Sequence, residues 1–179
     1  KREAMVANST FVRTGARTIL WGCSLEPDLL KEPEVVEDMK RYTLITPRES
    51  ITAAALEQAG ITGNVKLFPD PAFALEAEQI RLPERFRTGR TIGINISPMI
   101  VRHEKSSGIT LANFRRLIDH ILQTTDDCVA LIPHVMWNNN DDRLTLQELY
   151  RGFEAEERVL VFPDMSCQKI KYIISQCRA

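Results

Sequence analysis

The sequence predicts an α/β fold built on parallel strands. Short apolar, β-branched runs alternate with longer stretches whose apolar residues recur at helical spacing. Helices of this length between strands imply crossover connections, and hence parallel pairing. The composition agrees: 44% hydrophobic and 26% charged residues are ordinary for a globular α/β protein.

The elements follow in order. The opening residues, from Lys1, read as helical. Thr18–Trp21 is a short strand ending at Gly22. Pro33 opens a helix over 34–41 with Val35, Val36 and Met39 on one face. Tyr42–Ile45 is a second strand. Thr46-Pro47-Arg48-Glu49 then reads as a capping box, starting a helix that turns Ile51, Ala54 and Ala55 inward and stops at Gly60. Val65–Phe68 is a third strand, running into Pro69-Asp70-Pro71. Residues 76–90 are charged and poor in apolar pairs, and read as a linker between a domain over 1–75 and another over 91–179.

Beyond the linker, Thr91–Ile96 is a buried strand. Leu111, Phe114, Leu117, Ile118, Ile121 and Leu122 mark the clearest amphipathic helix. Val129–Ile132 is a strand. Asn140 or Asp141 caps a helix bearing Leu144, Leu149, Tyr150 and Phe153. Val159–Phe162 is a strand, and Ser166 caps a last helix with Ile170, Ile173, Ile174 and Cys177 on one face. Three strands on each side of the linker make thin sheets. Each half reads as part of a doubly wound domain, and both ends of the chain read as cuts.

Charge and motifs narrow the function. The chain holds 23 basic and 24 acidic residues, for a formal net charge of -1, so a nucleic-acid binder is disfavoured. No apolar run approaches the roughly 20 residues that span a bilayer. Cys23, Cys128, Cys167 and Cys177 form no C-x-x-C pair and read as reduced thiols. His103, His120 and His134 lack metal-site spacing, so no metal is expected. No G-x-S-x-G, Walker loop or G-x-G-x-x-G occurs. Trp21 and Trp137 are read as packing residues, though either ring could stack on a sugar.

In open parallel sheets, ligands bind outside the carboxyl ends of the strands. The polar residues that follow the strands are therefore the candidates. Arg48 is read in a first helical turn, where a cation beside unpaired N–H groups makes an anion site. His134 follows a strand and could bind an anion or move a proton. Asn95 and Ser97 could donate hydrogen bonds to a ligand. Asp70, between prolines, braces its loop through side-chain to backbone bonds, with a direct role at the ligand less favoured. Asp141 and Asp142 read as a helix cap and a first-turn acid.

Six segments resemble, in order, the polysaccharide pyruvyl transferase family. They are Leu20-Trp21-Gly22-Cys23-Ser24-Leu25-Glu26-Pro27, Ile45–Thr52, Phe68-Pro69-Asp70-Pro71-Ala72-Phe73, Gly93–Pro98, Ile132-Pro133-His134-Val135 with Asn140–Arg143, and Ile174-Ser175-Gln176-Cys177-Arg178. The resemblance implies two Rossmann-like halves in an arrangement similar to glycosyltransferase B, both incomplete here. It implies transfer of a pyruvyl group from phosphoenolpyruvate to a sugar of a cell-surface polymer or its lipid-linked precursor, on the cytoplasmic side of a bacterial envelope. Phosphoenolpyruvate is then a substrate, and no cofactor is implied. Peripheral membrane association would come through the acceptor.

On that reading Arg48 holds phosphate or carboxylate, His134 assists proton transfer, and Asn95 and Ser97 orient the ligand. The family continues past its Cys-Arg into Gly-x-Arg-x-His, which lies beyond Ala179, so the 179-residue chain alone is expected to be inactive. Two other readings stay open: a nucleotide-sugar glycosyltransferase of similar fold, and a non-catalytic glycan-binding domain.

Overall fold

A computed structural model describes residues 2–179. The chain divides into two compact units, Lys1–Leu75 and Glu76–Ala179.

In the first unit, α1 (Arg2–Arg13) leads to β1 (Ile19–Cys23), a 3-10 turn over Pro27–Lys31, α2 (Pro33–Arg41), β2 (Leu44–Pro47) and α3 (Ser50–Gln58). β1 and β2 are parallel, with Ile19 opposite Leu44 and a bulge between Leu20 and Cys23. Gly22 sits in that bulge at φ 58°. A Cβ there would meet the Pro71 ring at 2.8 Å, so the close approach admits glycine alone. The core gathers Val35 and Met39 of α2, Ile45 of β2, and Ala55 and Leu56 of α3. α1 is pinned to α2 by the buried Asn8, whose Nδ2 donates to Asp38 Oδ1 at 3.0 Å.

Three expectations shift here. The second strand starts two residues late, because Tyr42 caps α2 and lies in the core instead. The run Val65–Phe68 has one bridge, Ile45 to Val65, but its backbone still follows β2: Lys66 N–H donates to Ile45 O and Phe68 N–H to Pro47 O. In α3 the buried face is Thr52, Ala55 and Leu56, and Ile51 is 67% exposed. The helix starts at Ser50 rather than Pro47, and Ala55 is buried as read, while Thr52 and Leu56 rather than Ile51 and Ala54 join it in the core.

The second unit holds β3 (Thr91–Ile94), α4 (Pro98–Arg102), α5 (Ile109–Thr124), β4 (Cys128–Leu131), a hairpin of β5 (Met136–Trp137) and β6 (Asn140–Asp141), α6 (Asp142–Tyr150), β7 (Val159–Val161) and α7 (Cys167–Gln176). The sheet order is β3-β4-β7, all parallel. β4 is central and buried throughout, and its alternation divides two cores. Val129 and Leu131 face α5 and α6, with Ile118, Ile121, Leu146 and Leu149. Ala130 and Ile132 face α7, with Ile170 and Ile173. Helices on both faces explain why these strands read as continuous apolar runs.

Residues 76–90 carry no helix or strand. They lie against the second unit: Phe86 is buried edge-on to Phe162, with ring centroids 6.0 Å apart, and Ile80 and Leu82 join the same cluster. After α7 the chain runs beside β3, where Arg178 N–H donates to Thr91 O and Gly93 N–H to Ala179 O, each at 2.7 Å. The fit at Gly93 is close, since a Cβ would meet Cys177 Sγ at 3.3 Å. Ile174, read as inward, is 44% exposed, and Cys177 terminates α7 half-buried. Leu144 and Leu117 are also exposed, the polar faces of α6 and α5 being wider than their apolar spacing suggests. No helix among the described residues is long and apolar enough to cross a membrane.

Candidate functional site

In the first unit, polar groups collect where β1 and β2 end. Arg48 follows β2 directly. Its backbone N–H donates to Cys23 O, which ties the two strand exits together. Its guanidinium reaches across both exits. Nε donates to Ser24 Oγ at 3.0 Å, and Nη1 to Asp70 Oδ2 at 2.6 Å. The side chain stays 46% exposed, and Nη2 makes no hydrogen bond among the described residues.

Asp70 braces its loop as expected, since Oδ1 accepts from Ala72 N–H at 2.9 Å. That N–H, and then the Arg48 guanidinium, hold its carboxyl below the usual aspartate range. Burial pushes the Cys23 thiol up, with smaller contributions nearby from Glu49 and Arg48.

The capping box is not formed. Glu49, not Thr46, is the N-cap of α3: its carboxylate accepts from Thr52 N–H at 3.0 Å and from the Thr52 hydroxyl. Thr46 is engaged in the sheet instead, its Oγ1 accepting from Gly22 N–H at 2.8 Å. Arg48 therefore precedes the helix, and the α3 N-terminus is already answered by a carboxylate from its own chain. An anion at Arg48 would meet the guanidinium rather than a helix end.

In the second unit, the exits of β3, β4 and β7 lie on one edge because the strands are parallel. Asn95 leaves β3, and both hydrogens of its side-chain NH2 are committed. Nδ2 donates to Ile132 O at 2.9 Å and to Asp142 Oδ2 at 2.8 Å. Ser97 caps α4, with Oγ accepting from Met99 N–H at 3.3 Å. His134 leaves β4 exposed, and its ring makes no hydrogen bond among the described residues. Its backbone N–H donates to Asp142 Oδ2 at 3.0 Å, and that of Val135 does so at 2.9 Å.

Asp142 opens α6 as the first-turn acid read from sequence, but its second role was missed: it is 1% exposed and turns back beneath the site. One oxygen, Oδ2, gathers three N–H donors from two strand exits, and Oδ1 is buried without a partner among the described residues. The available signal was the doubled acid: one aspartate suffices as a cap, and Asp141 does that work, accepting from Arg143 N–H. Arg143 also clasps the Asp141 carboxylate at 2.6 Å, which holds that carboxyl well below its ordinary value. Arg143 lines a cavity of about 440 Å³ with Pro133, Phe162 and Asp164, beside the ends of β4 and β7.

Trp137 stands on the β5–β6 hairpin, 75% exposed, and Trp21 is 66% exposed, so neither ring packs in a core. The hairpin turns at Asn139, in the left-handed region at φ 66°, a conformation that asparagine tolerates. Arg102 fastens it to α4 through Asn139 O and Asn140 Oδ1.

A parallel sheet with helices on both faces makes the second unit an α/β structure compatible with a Rossmann-like fold, a class in which ligands commonly bind at the carboxyl edge. The comparison with family models is specific: the model described as Polysaccharide pyruvyl transferase matches residues 8–179. The chain belongs to the polysaccharide pyruvyl transferase family, a transferase family whose acceptor is a saccharide. No curated protein and no solved structure matches the chain.

Proposed function

We propose that the protein transfers the pyruvyl group of phosphoenolpyruvate onto two hydroxyls of one sugar, forming a ketal on a cell-surface polysaccharide or its lipid-linked precursor. Family membership over residues 8–179 carries this reading. The glycosyltransferase-B-like arrangement, the cytoplasmic setting and peripheral contact with a bacterial membrane through the acceptor are parts of the same proposal.

The chemistry needs a cation, a proton donor and hydroxyl-orienting groups. Protonation at the methylene carbon makes the central carbon electrophilic. One sugar hydroxyl adds there, the bond to the phosphate oxygen breaks, and the second hydroxyl closes the ketal. Of the two hydroxyl protons displaced, one balances the new methyl group and the other leaves on phosphate. Arg48 supplies the cation for carboxylate or phosphate through its uncommitted Nη2, with Asp70 and Ser24 fixing the fork. His134, exposed at the exit of β4, supplies the proton.

Calorimetric titration with phosphoenolpyruvate tests the donor assignment. Arg48→Ala should weaken binding at least about ten-fold, the size of one charge-assisted hydrogen bond. Unchanged affinity would remove Arg48 from the donor site. Phosphate release that requires a saccharide would establish the transfer itself.

A further inference from the structure

Both exit residues of β3 were read as hydrogen-bond donors to a ligand, and the network around Asn95 reverses that polarity. The two partners of its Nδ2, the carbonyl of Ile132 and the carboxylate of Asp142, only accept. The side-chain group that faces them must therefore be the NH2, and both its hydrogens are consumed. Rotating the amide would set its oxygen against two acceptors, one of them buried and charged. Asn95 Oδ1 accepts nothing from the described residues and is not among the enclosed polar atoms, so it stands at the strand exit as a bare acceptor.

Two residues on, Ser97 takes the Met99 N–H on its oxygen, which leaves its hydroxyl hydrogen to donate. Ile96 between them is fully buried, whereas Asn95 and Ser97 are both half-buried, so the pair share the outward side of one extended segment. The β3 exit thus offers one acceptor and one donor. Phosphoenolpyruvate offers only acceptors, its carboxylate being ionised and its phosphate losing the second proton near pH ~6. A sugar hydroxyl offers both a donor and lone pairs, and complements the pair.

We infer that Asn95, with Ser97 beside it, reads a hydroxyl of the saccharide acceptor and does not contact the phosphoenolpyruvate anion. This assignment rests on the donor and acceptor classes proposed above. Asp142 acts as the positioning residue, since its carboxylate fixes which face of the amide looks outward.

Two titrations on the full chain test it, with Asn95→Ala and Asn95→Ser. The serine variant keeps a hydroxyl to answer Ile132 O or Asp142, and both variants are compared at equal folded fraction by thermal melting. With phosphoenolpyruvate, both should bind within about two-fold of the parent, while Arg48→Ala weakens at least ten-fold. A ten-fold loss in the Asn95 variants would assign the residue to the anion and overturn the inference.

The second titration uses methyl β-D-galactopyranoside, whose 4- and 6-hydroxyls are spaced to close a six-membered ketal. It should bind the parent, and bind the Asn95 variants about five- to ten-fold more weakly, the loss expected for one neutral hydrogen bond. Equal binding to parent and variants, or no binding to the parent, would overturn the inference. A parent that ignores phosphoenolpyruvate but binds the galactoside through Asn95 would instead sink the donor reading and keep this one.

Discussion

At Asp142 one carboxylate oxygen receives three N–H groups, two from the His134 loop and one from Asn95, with almost no exposure to water. Truncation strands all three donors, and each orphan costs about 1–3 kcal/mol when buried. Asp142→Ala should therefore destabilise the second unit by roughly 3 kcal/mol or more. Asp141→Ala removes a cap beside it and should cost only about 1 kcal/mol. Urea denaturation of the two variants compares them, and equal losses would refute the buried-hub account. Asp70 differs, since it is only partly buried and its significance is in titration. Its folded pKa lies below the ordinary 3.8, so the Arg48 pair is present above that value and is lost as pH falls through the lowered one. A carbon NMR titration of its carboxyl should give a midpoint under 3.8. In Arg48→Ala the midpoint should rise yet stay low, because the Ala72 N–H is the larger cause. The positions of Arg48, Asp70, Asn95, Ser97 and His134 at strand exits were legible from strand order alone. The polarity of Asn95 and the burial of Asp142 were not, because both depend on bonds spanning 37 to 47 residues.

At the scale of elements, α3 shows how packing sets a face. Its buried set of Thr52, Ala55 and Leu56 is displaced by one residue, about 100°, from the set read in sequence, and Leu56 rather than Ile51 enters the core. Leu56→Ala should cost about 2–5 kcal/mol, whereas Ile51→Ala should stay within about 0.5 kcal/mol. Chemical denaturation checks the pair, and comparable losses would return α3 to the face read from sequence. The amphipathic pattern of α5 was read correctly at Leu111, Ile118 and Ile121, where sixteen residues give the period room to show. Nine-residue α3, rich in alanine, left the phase to be decided by Thr52, which packs fully buried and whose Oγ1 accepts the Leu25 N–H at 2.9 Å. The hairpin β5–β6 escaped notice because each strand has two residues, too few for an alternation.

Over the whole molecule, each unit closes a core of its own: one around Ile45 and Leu56, and two on either side of β4. Substitutions should consequently act within their unit. Leu56→Ala should raise hydrogen exchange in the amides of β2 while leaving Val129 to Leu131 protected, and Ile118→Ala should do the reverse. Exposure of both cores by either substitution would refute this. The sequence by itself determined the alternation of strand and helix, the parallel pairing and the family, since these depend on local periodicity and on ordered short segments. It also put the candidate residues at strand exits, because parallel strands separated by helices share one carboxyl edge. Tertiary structure alone decided which of those residues are spent on one another. Arg48 is half answered by Asp70, the α3 N-terminus by Glu49, and the Asn95 amide by Ile132 and Asp142. Hydrogen-bond capacity is finite, and the protons and lone pairs left for a ligand are known only once the partners folded against each group are in place.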